Sequence, residues 1–112
     1  PDLYYRFMAN VIENNCQDVI VPFAIDSING ARVLKWLGLV PDFLYVDGSH
    51  EKGDVLRDYV AYWELLPSGG GMLVDDLSGY FPGVVEDFTY FTSQNNLTPV
   101  ISEGEKSLLV KP

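Results

Sequence analysis

The sequence predicts an α/β fold: a mostly parallel sheet with helices on both faces and a C-terminal antiparallel hairpin. Three observations carry this. The apolar run Phe43–Val46 stops at Asp47 and turns through Gly48, Ser49 and His50 into a helical pattern. A second run, Gly71–Val74, ends in Asp75 and Asp76, and the amphipathic stretch between the two runs makes them a βαβ unit. The alternation of strand-like and helix-like segments around this unit implies a parallel sheet, and two short runs at the end of the chain read as a hairpin. Ligands of open α/β sheets gather at the carboxyl ends of the strands, so three acids face one crevice.

Taken in order, residues 2–15 place Leu3, Phe7 and Val11 on one helical face, and Asn14 and Asn15 end that helix. Residues 18–23 read as a short strand in which Pro22, lacking a backbone donor, belongs near an end or edge. Asp26 and Ser27 are good N-cap residues for a second helix that carries Ile28, Val33, Leu34 and Leu37 and stops at Gly38 and Pro41. Residues 42–47 form the most buried strand candidate. The crossover helix is expected over 51–66, with Val55, Leu56, Tyr59, Val60, Trp63 and Leu66 inward and Glu51, Asp54, Asp58 and Glu64 largely elsewhere. Pro67 to Gly70 break the chain before a strand at 71–75. A loop through Gly79 and Pro82 leads to a helix at about 83–94, with Val84, Val85, Phe88 and Phe91 inward. Strands at 97–102 and 107–110 flank a hairpin turn at Glu103, Gly104 and Glu105.

With 112 residues the chain is one domain at most, and 47% hydrophobic and 13% aromatic content argues for a globular fold rather than disorder. Sixteen acids against seven basic residues give a net charge of −9, which repels phosphates and so argues against nucleic acid or an anionic membrane as partner. It suits a cation. No apolar run approaches a membrane span, and no secretory leader pattern opens the sequence. A single cysteine, Cys16, excludes an internal disulfide and fits a reducing, cytoplasmic compartment. The sequence opens at Pro1 rather than at a methionine, and the expectation is a piece of a longer protein.

With the elements placed, the chain resembles the C-terminal part of a class I S-adenosylmethionine-dependent methyltransferase, in the metal-dependent O-methyltransferase-like branch. The resemblance rests on the run from Phe43 to His50, on Val55, Leu56, Arg57 and Asp58, on Tyr62 and Trp63, and on Leu65 to Gly70 leading into Asp75 and Asp76. Asp26 and Ser27 match as well. It implies a partial Rossmann-like sheet, with residues 1–112 as the C-terminal half of the methyltransferase domain. The glycine-rich first strand and the acid-ended second strand, which hold the methionine and ribose of the cofactor, have no counterpart here. It also implies a divalent cation such as magnesium on Asp47, Asp75 and Asp76, and the adenine of S-adenosylmethionine near Asp26 and Ser27. Hard oxygen donors suit such an ion. Some relatives place an acidic catalytic base two residues beyond the first metal aspartate. Here that position is Ser49, and the neighbouring His50 is the candidate substitute.

Each of these residues also has a plainer reading. Asp47 alone ends a strand and starts a turn, and Asp75 with Asp76 alone is a loop or helix-capping pair. Asp26 and Ser27 are equally an N-cap. His50 is either a partly exposed histidine at a helix start or a base in contact with substrate. The resemblance implies methyl transfer to a hydroxyl of a small molecule, with the isolated chain expected to be inactive. The alternatives are a non-catalytic cation-binding or assembly module of methyltransferase-derived fold, and an enzyme completed by another chain. Without the two missing strands, the strand that ends at Asp47 is left with an open edge. The expectation is that residues 19–23 slide in beside it, displacing the helices at 2–15 and 27–39, or that a second copy pairs across it as a homodimer.

Overall fold

The computed structural model describes residues 2–112. Its elements are α1 (Leu3–Glu13), α2 (Ser27–Trp36), β1 (Phe43–Val46), α3 (Asp54–Leu65), β2 (Gly71–Val74), α4 (Pro82–Gln94), β3 (Ile101–Glu103) and β4 (Lys106–Val110). The strands form one sheet in the order β1-β2-β4-β3. β1 and β2 are parallel, as a βαβ unit requires, with Phe43 opposite Gly71 and Val46 opposite Val74. β4 returns antiparallel against β2, and β3 closes the hairpin on it through Gly104, whose φ is +58°. The α/β class and the terminal hairpin are therefore present, with one parallel and two antiparallel pairings.

Side chains alternate across these strands, and the two faces differ. Met72, Val74 and Leu109 share one face and are fully buried. Val55 and Tyr59 of α3, Val84 and Phe91 of α4, and Leu66 pack with them in a single core. Tyr59 and Trp63 meet the Phe91 ring at centroid distances of 5.6 Å. On the opposite face Phe43, Tyr45 and Ile101 remain exposed.

The α3–α4 contact is set by one carboxylate. α3 begins after Gly53, which has φ +92° and no side chain with which to cap the helix. Asp87 of α4, only 3% exposed, supplies the cap from outside, accepting from Gly53 N at 2.6 Å and Leu56 N at 3.0 Å. A buried carboxylate is tolerable here because two amides and the positive end of a helix dipole receive it. One turn earlier, α4 presses on the preceding loop at Gly83, where a Cβ would lie 2.8 Å from Lys52 N and 2.9 Å from His50 O. α2 is tied to α3 by Ser27 Oγ donating to Asp58 Oδ1 at 2.5 Å and Tyr62 Oη donating to Ser27 O at 2.7 Å. Asp58, expected on the solvent side of its helix, is accordingly buried.

Residues 18–23 do not form the expected strand. Val19 N and Ile20 N instead turn back onto Cys16 O at 3.0 and 2.9 Å, and Val19 and Val21 are 80% and 85% exposed. β-Propensity has no ladder to join there, and Pro22 removes a donor. The segment consequently does not slide in beside β1, which has β2 as its only strand neighbour among the described residues. The inward face expected of α1 is likewise largely exposed: Val11 is buried, but Leu3 and Phe7 are not.

Replacing Asp87 with alanine leaves both amides at the start of α3 without their cap. The expected loss is about 2–4 kcal/mol in denaturant unfolding, with hydrogen exchange at Gly53 and Leu56 accelerated first. Unchanged exchange at those two amides would show that the cap does not hold the helix start.

Candidate metal and acceptor site

The parallel pair β1–β2 delivers its acids to one end of the sheet. Asp47 follows β1 directly, and Asp75 follows β2, its N–H still bonded to Val46 O at 3.2 Å as the ladder runs out. Asp76 then turns into the left-handed region, φ +63°, a conformation that aspartate tolerates better than most residues and that recurs at functional sites. Asp47, His50, Asp75 and Asp76 line a single small cleft whose floor is Val46, Val55, Tyr59 and Val84.

The three carboxylates have different environments. Asp47 is pushed above the ordinary aspartate range, first by burial and then by hydrogen-bonding contact and repulsion with the Asp76 carboxylate and the charge of Asp75. Asp75 is pulled down to about 2, chiefly by Lys106, then by Tyr45 and the Asp76 amide. Its Oδ2 receives Lys106 Nζ at 2.5 Å and the Tyr45 hydroxyl, and its Oδ1 receives Asp76 N at 2.7 Å. Asp76 Oδ2 lies 2.8 Å from His50 Nε2. The His50 ring stacks on Phe81 with centroids 3.8 Å apart and planes at 25°, so both its position and its plane are fixed.

The remaining sequence candidates lie beside this cleft. Asp26 and Ser27 line a groove together with Gly48, Ser49 and Asp58. Asp26 acts as the N-cap of α2, with Oδ1 accepting from Asn29 N at 3.0 Å and Oδ2 from Asn29 Nδ2 at 2.7 Å, which lowers its pKa. The Ser27 hydroxyl is held by Asp58. Ser49 Oγ receives the Glu51 amide at 3.1 Å and contacts Asp54, so it acts as a turn residue. Two residues of the site escape a reading of the sequence. Glu105, in the β3–β4 turn, brings a carboxylate oxygen within 4.8 Å of those of Asp75 and Asp76. Lys106 reaches Asp75 from the next strand. The β2–β4 register pairs Gly71 with Val110 and Val74 with Ser107, and one further step brings Asp75 opposite Lys106.

A family model described as a methyltransferase domain matches residues 3–77. That is more than half of the chain, which belongs to this family, the class I S-adenosylmethionine-dependent methyltransferases. No curated protein matches the sequence. Among solved structures, the chain is similar to apo CalS11, a TDP-rhamnose 3'-O-methyltransferase of calicheamicin biosynthesis, with TM-score 0.69 and 15% identity over 98% of this chain and 52% of that one. It is also similar to the MycE methyltransferase of the mycinamycin biosynthetic pathway, solved in complex with Mg and SAH, with TM-score 0.57 and 18% identity over 77% of this chain and 29% of that one. The chain thus spans about half the length of the first and under a third of the second. At these identities the likeness is one of fold. Among the described residues, no helix is long and apolar enough to cross a membrane.

The raised pKa of Asp47 has a consequence for stability. A carboxylate held above its unfolded value destabilises the folded chain once the pH passes that value, because the unfolded state releases the proton more readily. Asp47→Asn should therefore melt higher than the parent chain at pH 7 with chelator present. The advantage should fade as the pH falls through the folded pKa and vanish below 3.8, where Asp47 becomes protonated in both states. A lower melting temperature for the variant at pH 7 would contradict the carboxylate repulsion.

Proposed function

We propose that this chain carries the metal and acceptor side of an S-adenosylmethionine-dependent O-methyltransferase acting on a hydroxyl of a small molecule. The observation that carries the reading is the convergence of Asp47, Asp76 and His50 at the carboxyl ends of the two parallel strands. Asp47 and Asp76 are two carboxylates in contact, with Asp47 raised by desolvation and then by Asp76, and they form a donor set that a hard cation would relieve. Asp75 belongs to the same set, although its oxygens are engaged by Lys106, Tyr45 and the Asp76 amide. The solved complex of MycE with Mg and SAH is in keeping with such a site in this fold.

A divalent ion held there by Asp47, Asp75 and Asp76 would make a bound hydroxyl more acidic. The chain's own part is to orient the acceptor and take its proton. His50 is the candidate for this: its Nε2 lies 2.8 Å from Asp76 Oδ2, and the Phe81 stack keeps the imidazole from swinging away. Asp26 and Ser27, across Gly48 from the acids, are the adenine-side residues of this reading. The groups that would hold the ribose and methionine of the cofactor have no counterpart in the chain, so alone it is inactive. Its setting is cytoplasmic, in keeping with the single free Cys16.

The test is binding by the 112-residue chain. Magnesium or manganese at hundredfold excess over its Kd should raise the melting temperature by roughly 10 °C, and Asp47→Ala combined with Asp76→Ala should abolish the rise. An equal rise in the double variant would refute the site. Calorimetry should show no saturable micromolar binding of S-adenosylmethionine, since such affinity needs about 8 kcal/mol from a partial site. Cation binding without methyl transfer in a longer form of the protein would favour the non-catalytic module instead.

A specific observation also favours a homodimer. Among the described residues the outer edge of β1 has no strand partner, and Phe43 to Val46 contain no lysine or proline to discourage a further strand. Sedimentation equilibrium should show a dimer that Phe43→Lys dissociates, whereas a strictly monomeric parent chain would rule out pairing across this edge.

A further inference from the structure

The geometry points to Lys106 as a tethered counter-ion that occupies the Asp75 carboxylate and that a divalent cation must displace on entering the site. This rests on the metal reading above and adds a residue that sets the site's affinity. Asp75 has little left to offer a second cation. Oδ1 takes the Asp76 amide at 2.7 Å, and Oδ2 takes both the Lys106 ammonium at 2.5 Å and the Tyr45 hydroxyl. The arrangement is built by the sheet. Tyr45, Asp75 and Lys106 come from β1, the end of β2 and β4, on the face opposite the buried core, and the ammonium lies 5.9 Å from the centre of the Tyr45 ring. The Asp75 side chain is 11% exposed, whereas that of Lys106 is 48% exposed.

Those exposures matter. The carboxylate stays in place, and the ammonium has an open path to solvent along its flexible stem. Asp76 and Glu105 carry carboxylate oxygens within 4.8 Å of that of Asp75, so the ammonium is the nearby positive charge of an acidic cluster. An ion binding Asp75 therefore meets a resident positive charge, and its affinity is weaker by the work of moving that charge aside. Lys106 is a positioning and affinity-setting residue in this account, and it touches no reacting atom.

Cation binding measured directly provides the test, by calorimetry with magnesium and by electron paramagnetic resonance with manganese, on the 112-residue chain. Lys106→Met keeps most of the aliphatic stem and removes the charge, and should tighten binding about tenfold. Lys106→Arg keeps the charge and should stay within about twofold of the parent. As a check independent of the variants, magnesium titrated into the parent chain should release the Lys106 amine from its contact, seen as faster proton exchange at Nζ by nitrogen-15 NMR. If the parent binds through Asp47 and Asp76 but Lys106→Met binds no more tightly and the amine signal does not respond, the inference is overturned and the metal site stands. If neither the parent nor Lys106→Met binds a divalent ion, both fall. Binding by Lys106→Met alone would support the inference in its strongest form.

Discussion

The geometry of the site depends on how α4 grips the segment between β1 and α3. Three successive features of α4 and its first turn do this. Phe81 lies under the His50 ring, Gly83 lets the backbone approach Lys52 and His50, and Asp87 caps α3 at Gly53 and Leu56. Each is needed for a different physical reason: stacking, absence of a Cβ, and a charge-assisted pair of hydrogen bonds. Together they hold a glycine-rich loop that has no secondary structure of its own. Where Asp47 and His50 sit relative to Asp76 is thus a consequence of α3–α4 packing, and the core residues Tyr59, Val84 and Phe91 keep that packing in place.

Upon this frame the sheet places three acids at its strand ends, and the chain relieves their repulsion unevenly. Asp75 is matched by Lys106 and Tyr45, and Asp76 faces His50, whereas Asp47 is partly desolvated beside its carboxylate neighbours. A fold selected only for stability has cheaper ways to end two strands. Carboxylates gathered at the ends of adjacent strands are the kind of local expense that functional sites carry.

The parts of this arrangement that were legible in the sequence are those encoded locally. The runs before Asp47 and Asp75, and the spacing of Val55, Tyr59 and Leu66, state a βαβ unit by their periods alone, and the acids at the strand ends follow from chain order. What was not legible depends on tertiary neighbours. Asp87 and Asp58 look like solvent-facing helix positions until a helix start and the Ser27 hydroxyl are brought against them. Lys106 and Glu105 enter the site only through the β2–β4 register, which no pattern within either strand specifies. The opposite error occurs at Val19 to Phe23, where strand-like composition had no adjacent edge to join and the backbone closed onto Cys16 instead.

This contrast divides the candidate site itself. The acids and His50 belong to the part of the chain from β1 to β4 that owns the buried core, so their positions are defended by many packed side chains. Asp26 and Ser27 belong to the part before β1, where among the described residues Val11, Gly30 and Ala31 are the only buried ones and where Val19, Val21 and Trp36 are exposed. The second part joins the first where α2 packs on α3, through the Ser27–Asp58 and Tyr62–Ser27 hydrogen bonds, the close approach of Gly30 to the Tyr62 hydroxyl, and the exposed Lys35–Glu64 pair. Segments with few buried contacts open at lower free energy than the core they lean on. The acid end of the cleft is therefore preorganised by the core, whereas Asp26 and Ser27 depend on the contact of α2 with α3. A ligand spanning both would gain its geometry from the first and supply order to the second.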